Sequence, residues 1–135
     1  MNITSDAGAM SAIHLAERRA ALRKAPTYMY VWAWETPVMG LRSPHTLEIP
    51  FVFNHIDLCE SMVGKVTPEA RALEAAGAGA WATFARDGKP SPSGLPAWPA
   101  YTPETRDVMI FDARSRIERD PTSEVRKILE RRTHE

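Results

Sequence analysis

The feature that most constrains the fold of this chain is the stretch Thr27–Trp34, which reads TYMYVWAW. Successive side chains of a strand point to opposite faces, so tyrosine and tryptophan would line one face and Met29, Val31 and Ala33 the other. A strand with two apolar faces is typical of the interior of a parallel sheet covered by helices, whereas an exposed edge strand is expected to carry charge. The stretch therefore predicts an α/β fold.

Helices are expected before and after this strand. The segment Ser11–Lys24 predicts a helix with one small, apolar face, and Pro26 would end it. A second helix is predicted to begin at Thr67, whose side chain can cap the first turn, with Pro68 at the first helical position. Gly88 would stop this helix.

The remaining segments do not complete a sheet. Gly77 and Gly79 lie inside the second predicted helix and each costs about 1 kcal/mol relative to alanine, so we expect a break there or a neighbour packed close. Asp107–Asp112 predicts a short strand, and Asp120 with the following proline predicts the start of a last helix. One interior strand needs partners that these segments do not supply, so the chain is expected to be a piece of a larger sheet.

Charge and composition exclude several classes of function. The chain has 135 residues, with 17 Lys and Arg balanced by 17 Asp and Glu, so we expect neither nucleic acid nor an anionic membrane as a partner. The single cysteine, Cys59, cannot form an internal disulfide. No secretion signal or membrane-spanning stretch is evident, and the cytoplasm is the default location unless a signal was lost with a missing N-terminal part.

Several landmarks resemble the C-terminal part of the type B carboxylesterases, the family of para-nitrobenzyl esterases and cholinesterases. In chain order they are APTYMYVWAW (Ala25–Trp34), SPHTLEIPFVF (Ser43–Phe53), AWATFARDGKPSPSGLPAWPAY (Ala80–Tyr101) and VMIFD (Val108–Asp112). The resemblance implies part of an α/β-hydrolase fold, an incomplete sheet with flanking helices. It divides the chain into a flexible N-terminus, residues 1–9, and a segment of the esterase domain, residues 10–135.

The resemblance also implies one catalytic residue, His45. In α/β hydrolases the catalytic triad follows the chain order serine, acid, histidine, so a C-terminal segment would keep the histidine alone. By resemblance, His45 takes the proton from the serine hydroxyl and later returns it to the leaving alcohol. No cofactor or metal is implied.

The rest of the catalytic apparatus is missing from the sequence. None of the serines is flanked by glycines in a Gly-x-Ser-x-Gly pattern, and no His-Gly-Gly stretch offers donors for an oxyanion. Upstream of the strand only Asp6 and Glu17 could supply an acid, and neither has a family-like context. The chain is therefore expected to be inactive alone.

Other residues allow weaker interpretations. Glu48 could orient His45, but a carboxylate bonded to backbone or to an arginine is the better expectation. His55 and Cys59 are four residues apart, yet two ligands make a weak metal signal even with His45 added. The tryptophans are expected to serve packing. Phe51 and Phe53 could line an acyl pocket in the complete enzyme.

Two functions follow. The first is a carboxylic-ester hydrolase segment that acts on a small-molecule ester together with a complementing N-terminal chain. The alternative is a non-catalytic interaction module that uses the apolar strand and the amphipathic helices to pair with another chain or with itself. Unpaired apolar strands favour self-association in both cases.

Overall fold

The computed structural model describes residues 3–132 and contains a small sheet with helices. In chain order the elements are α1 (Ile3–Ala21), β1 (Met29–Trp32), α2 (Glu48–Val52), a 3₁₀ helix (Ile56–Leu58), α3 (Glu60–Val63), α4 (Pro68–Asp87), β2 (Asp107–Phe111), β3 (Arg116–Arg119) and α5 (Ser123–Arg132). Within residues 3–132, no helix is both long enough and apolar enough to cross a membrane.

The three strands form one sheet in the order β1-β2-β3. The amides of Ala33 and Trp34, just after β1, donate to the carbonyl oxygen of Phe111 at 2.8 and 3.0 Å. The ends of β1 and β2 therefore lie side by side, as in a parallel pair. β2 and β3 are joined by the short turn Asp112–Ser115, which makes them an antiparallel hairpin. The buried, central strand is β2, in the place predicted for a short strand.

The aromatic strand differs from its prediction. β1 is shorter than Thr27–Trp34 and lies at an edge of the described sheet. Tyr30 is 36% exposed and Val31 is 41% exposed, so the prediction of burial on both faces is wrong for this chain. The reason is that only β2 pairs with β1 within residues 3–132, so β1 lies at the edge of the sheet instead of between two strands.

α1 begins and ends earlier than the predicted helix. It begins at Ile3 rather than Ser11, so residues 3–9 are helical, and the boundary of a flexible N-terminus stays a prediction. It ends at Ala21 because the chain leaves the helix through Arg23, whose φ of 50° is left-handed. Pro26 follows shortly and disfavours helical backbone before it.

α4 confirms the predicted helix at both ends. The Thr67 side chain accepts a hydrogen bond from the Ala70 amide at 3.1 Å, and Gly88 ends the helix with a left-handed φ of 71°. The helix is unbroken at its two inner glycines, and neighbours pack close to both. A Cβ on Gly77 would lie 3.5 Å from the Trp32 ring, and one on Gly79 would lie 2.8 Å from Cβ of Pro92. The expectation of closely packed neighbours is therefore confirmed, and the expectation of a break in the helix is wrong.

The described residues divide into two compact units. One comprises residues 3–29, 99–108 and 118–132, and the other comprises residues 30–98 and 109–117. The second unit contains a continuous apolar core, formed by Trp34, Leu47, Phe51, Ile56, Val63, Ala70, Leu73, Ala80, Met109 and Phe111.

The first unit contains two ion pairs around a buried tyrosine. Arg106 contacts Glu17 at 2.7 Å, and Arg126 contacts Asp120 at 2.6 Å. Tyr101 is only 3% exposed, and its hydroxyl has no hydrogen-bond partner within residues 3–132. Burial raises the pKa of this phenol, and so does, more weakly, the nearby carboxylate of Glu17.

Candidate functional site

A hairpin after β1 delivers the chain to His45. Thr36 and Arg42 form an antiparallel bridge, and the Thr36 amide donates to the Arg42 carbonyl at 2.8 Å. The Arg42 guanidinium also contacts Glu35 at 3.0 Å. Beyond the hairpin, the Ser43 hydroxyl donates to the Trp32 carbonyl at 2.9 Å, which holds the returning chain against β1. Hydrogen bonds within the segment and to β1 thus order the chain between β1 and His45.

His45 lies in a turn between this hairpin and α2. The Leu47 amide donates to the Pro44 carbonyl at 3.2 Å, and Leu47 is fully buried in the core of the second unit. His45 itself is exposed. Between them, Thr46 has a φ of 72°. The turn therefore places the Leu47 side chain in the core and the His45 side chain, two residues earlier, in solvent.

Among the residues that the structure describes, none holds the imidazole of His45 by a hydrogen bond. Within residues 3–132, the His45 ring makes no hydrogen bond to a serine, to a carboxylate or to any other group. Of the two carboxylates upstream of β1, Glu17 is paired with Arg106, and the side chain of Asp6 is outside the described part of the structure. Within residues 3–132, the candidate base thus lies in solvent, and no described serine or carboxylate is bonded to it.

Glu48 is not the bonded carboxylate that the sequence favoured. Glu48 is half-buried at the start of α2. The pKa of Tyr30 is raised mainly by burial of its phenol and, to a smaller extent, by the charge of Glu48. The buried, bonded carboxylate is Glu74 in α4, which is 1% exposed. It accepts a hydrogen bond from the Ile56 amide at 3.0 Å and from the Arg71 guanidinium.

The pairing of Glu74 with Arg71 is local, whereas its contact with Ile56 is not. Arg71 and Glu74 are three residues apart in α4, a spacing at which helical side chains meet. This spacing is the one sequence signal that could have pointed to Glu74. Arg71 also binds Asp57, and its hydrogen bond lowers the pKa of that carboxyl. The group ties the 3₁₀ helix after α2 to α4.

The remaining candidates have structural roles. His55 Nδ1 lies 2.9 Å from the Phe53 carbonyl oxygen, and the 3₁₀ helix separates His55 from Cys59. Across the part of the chain that the structure describes, no group of three or more His, Cys, Asp or Glu is placed to hold a metal ion.

The aromatic residues form a packed cluster around Phe111. The Trp32 ring stacks on Phe111 at a centroid distance of 5.0 Å, and Trp81 and Trp98 contact the same ring at 6.1 and 5.7 Å. Trp34 packs against Phe51, which is fully buried. The packing interpretation of the tryptophans is therefore confirmed, and Phe51 is a core residue with no exposed surface to offer a substrate.

Comparisons with known proteins agree on one family. The sequence model of the carboxylesterase family matches residues 1–129. The para-nitrobenzyl esterase of Bacillus subtilis is 40% identical over 107 residues, which cover 78% of this chain and 22% of that protein. Among solved structures, a carboxylesterase of Geobacillus stearothermophilus is 39% identical with a TM-score of 0.70, and it is matched over 83% of this chain and 23% of its own.

The chain therefore belongs to the carboxylesterase family. Its fold is part of the α/β-hydrolase fold of the matched esterases. An esterase of Clostridium hathewayi, described as able to hydrolyse aliphatic aromatic polyesters, shares the fold at 26% identity and a TM-score of 0.72. The chain spans less than a quarter of the length of these relatives.

Proposed function

We propose that the chain is the C-terminal segment of a serine carboxylesterase and contributes His45 as the proton-transfer residue of its catalytic triad. The nucleophilic serine, the acid and the oxyanion donors would come from an N-terminal part supplied by the rest of the protein or by a second chain. The substrate class is a small-molecule carboxylic ester.

One observation carries this proposal: 78% of the chain matches only 22% of a para-nitrobenzyl esterase, and the matched segment holds an exposed histidine in an ordered turn. The position of the ring also supports it. An imidazole that must meet a serine from another part of the fold needs to lie at the surface of its own segment and to be free of competing hydrogen bonds. His45 has both properties within residues 3–132.

The chemistry assigned to His45 is two proton transfers in each half of the reaction. Its free ring nitrogen accepts the proton of the serine hydroxyl as the serine oxygen attacks the ester carbonyl carbon. The imidazolium then gives that proton to the leaving alcohol as the carbon–oxygen bond breaks. Water repeats the sequence on the acyl enzyme and releases the acid.

The test is hydrolysis of a short-chain nitrophenyl ester. The 135-residue chain alone should release nitrophenol no faster than buffer, because it lacks the nucleophile. A hybrid should restore hydrolysis when the N-terminal part of the para-nitrobenzyl esterase is joined to the whole chain. His45→Ala should lower kcat of the hybrid by several powers of ten.

His55→Ala is the matched control, because that ring binds a backbone carbonyl and has no proposed part in catalysis. It should leave kcat of the hybrid unchanged. Turnover that survives H45A would overturn the assignment of His45. Turnover by the chain alone would overturn the proposal that the nucleophile lies elsewhere.

A second candidate function is a non-catalytic interaction module. It is favoured by the exposure of apolar side chains on β1 and on the segment after α2, where Phe53 is 67% exposed and Leu58 is 83% exposed. Such surfaces mark sites where proteins meet other proteins. A hybrid that folds but is inactive, together with a stable homodimer of the chain in sedimentation, would favour the module. A cytoplasmic location remains a prediction under both functions.

A further inference from the structure

The residue that follows His45 has an unusual backbone. Thr46 has a φ of 72°, in the left-handed region. Glycine enters this region freely and asparagine tolerates it, but a β-branched residue such as threonine is a genuine outlier there. Such strained positions persist only where the surrounding structure holds them, and they cluster at functional sites.

Contacts on both sides hold Thr46 in this conformation. Before it, the Pro44 carbonyl accepts from the Leu47 amide, which closes the turn. After it, the Thr46 carbonyl accepts the Ile49 amide at 3.1 Å and so begins α2. The Thr46 hydroxyl also donates to the carbonyl of His45 itself. The fully buried side chain of Leu47 anchors the end of the turn in the core.

Among residues 3–132, no hydrogen bond directs the His45 ring. The dihedral angles of the turn therefore set the direction in which the His45 side chain leaves the backbone. A right-handed Thr46 would rotate His45 relative to the fixed Leu47. We propose that Thr46 is a positioning residue for His45, and that its left-handed backbone aims the imidazole at the catalytic serine. This inference rests on the proposed function of His45.

Proline at position 46 isolates the effect of the backbone. It cannot adopt a positive φ. In the described structure the Thr46 amide donates no hydrogen bond, so proline removes no donor that the fold uses. Thr46→Asn and Thr46→Gly permit the left-handed conformation without the threonine side chain. Thr46→Val keeps the β-branched shape, loses the hydroxyl and gives a milder change than proline.

The matched control is Thr122→Pro. Thr122 also donates no amide hydrogen bond among residues 3–132, and its φ is not positive. Thr122 lies in the turn before α5 that the Ser123 amide closes onto the Asp120 carbonyl at 3.1 Å, so T122P reports the general effect of proline in a turn. Because this turn is remote in sequence from His45 and has no proposed part in catalysis, T122P should leave kcat of the hybrid near the parental value.

Kinetics of the hybrid esterase give the first readout. T46P should lower kcat by about 100-fold and leave KM within about threefold, because a misdirected base slows proton transfer without weakening substrate binding. T46V should lower kcat by about fivefold, whereas T46N and T46G should stay within about threefold of the parent. A T46P hybrid with parental kcat would overturn the inference. So would equal losses in T46P, T46N and T46G, which would assign the effect to the hydroxyl.

Hydrogen exchange of the whole 135-residue chain gives a second readout that does not need activity. T46P should speed exchange of the Leu47 and Ile49 amides by about tenfold, while T46N, T46G and T122P should leave it near the parental rate. Unchanged exchange in T46P would overturn the inference even if every hybrid is inactive. Loss of activity in H45A, with no effect of T46P, would uphold the proposed function and reject this inference.

Discussion

Replacement of Glu74 offers the sharpest test of how this segment is held together. The carboxylate is 1% exposed, and one of its oxygens accepts the Ile56 amide at 3.0 Å in a buried contact. The other oxygen binds Arg71, whose own side chain is 48% exposed. Solvent weakens the ion pair at the arginine end, so the larger cost of removing Glu74 is the buried Ile56 amide left without an acceptor.

Two substitutions separate these contributions. Glu74→Gln keeps an oxygen that can accept from Ile56 but loses the charge, and it should cost about 1 kcal/mol of unfolding free energy. Glu74→Leu fills a similar volume but leaves the Ile56 amide unsatisfied. It should cost about 2–3 kcal/mol more than the glutamine variant when packing changes are included. The order of the two variants is therefore the prediction.

The assay is urea unfolding of the 135-residue chain, followed by tryptophan fluorescence, because Trp32, Trp81 and Trp98 pack around Phe111 and report on the core. Asp57→Asn is the control, since it removes only the exposed arm of the Arg71 contact. Because that ion pair is exposed, D57N should lower the urea midpoint at neutral pH by less than either Glu74 variant. A leucine variant as stable as the glutamine variant would refute the reasoning that the Ile56 amide needs this acceptor.

Three further predictions concern packing and pH. Gly79→Ala should destabilise the chain by about 1–3 kcal/mol, because the added Cβ would collide with Pro92. Gly77→Ala, where the added Cβ has room, should be neutral or stabilising by up to about 1 kcal/mol. Thermal unfolding compares the two variants, and the reverse order of stability would contradict the packing. The hydrogen bond from Arg71 lowers the pKa of Asp57, so this pair should stabilise the fold above the unfolded pKa of about 4. That stability should be lost as pH falls through the lower folded pKa. In urea titrations at several pH values, D57N should remove this part of the acid dependence. Burial raises the pKa of Tyr101, so the chain should lose stability as pH rises through the folded pKa of this phenol, above about 10. Tyr101→Phe should remove that alkaline loss. Because phenylalanine buries no unsatisfied hydroxyl, this variant should be at least as stable as the parent at pH 7 in thermal unfolding.

Elements with local signals were predictable from the sequence. Both ends of α4 follow from residues beside them, since the Thr67 hydroxyl caps the first turn and Gly88 takes the left-handed turn at the end. β2 was placed correctly because an apolar run bounded by charged residues is a local pattern. β3 was missed because Arg116–Arg119 carries only one apolar residue, and its pairing with β2 depends on the hairpin rather than on its own composition.

The candidate site also has one part that local sequence motifs indicated and one part that depends on long-range contacts. Position 45 was assigned from motifs in chain order, and the ordered turn around it agrees with that assignment without testing it. The spacing of Arg71 and Glu74 could have indicated their pairing, but not that Glu74, rather than Glu48, is the buried carboxylate. That outcome depends on the Ile56 amide, eighteen residues away in the sequence, arriving at the side of α4.

The sequence by itself indicated the family, both ends of α4 and the candidate base, because caps, stops and motif order are properties of neighbouring residues. Only the tertiary structure decided which strand is central, which carboxylate is buried and that Thr46 is left-handed. Each of these depends on groups distant in sequence that compete for the same space and the same hydrogen bonds. That competition is resolved only when the segments pack.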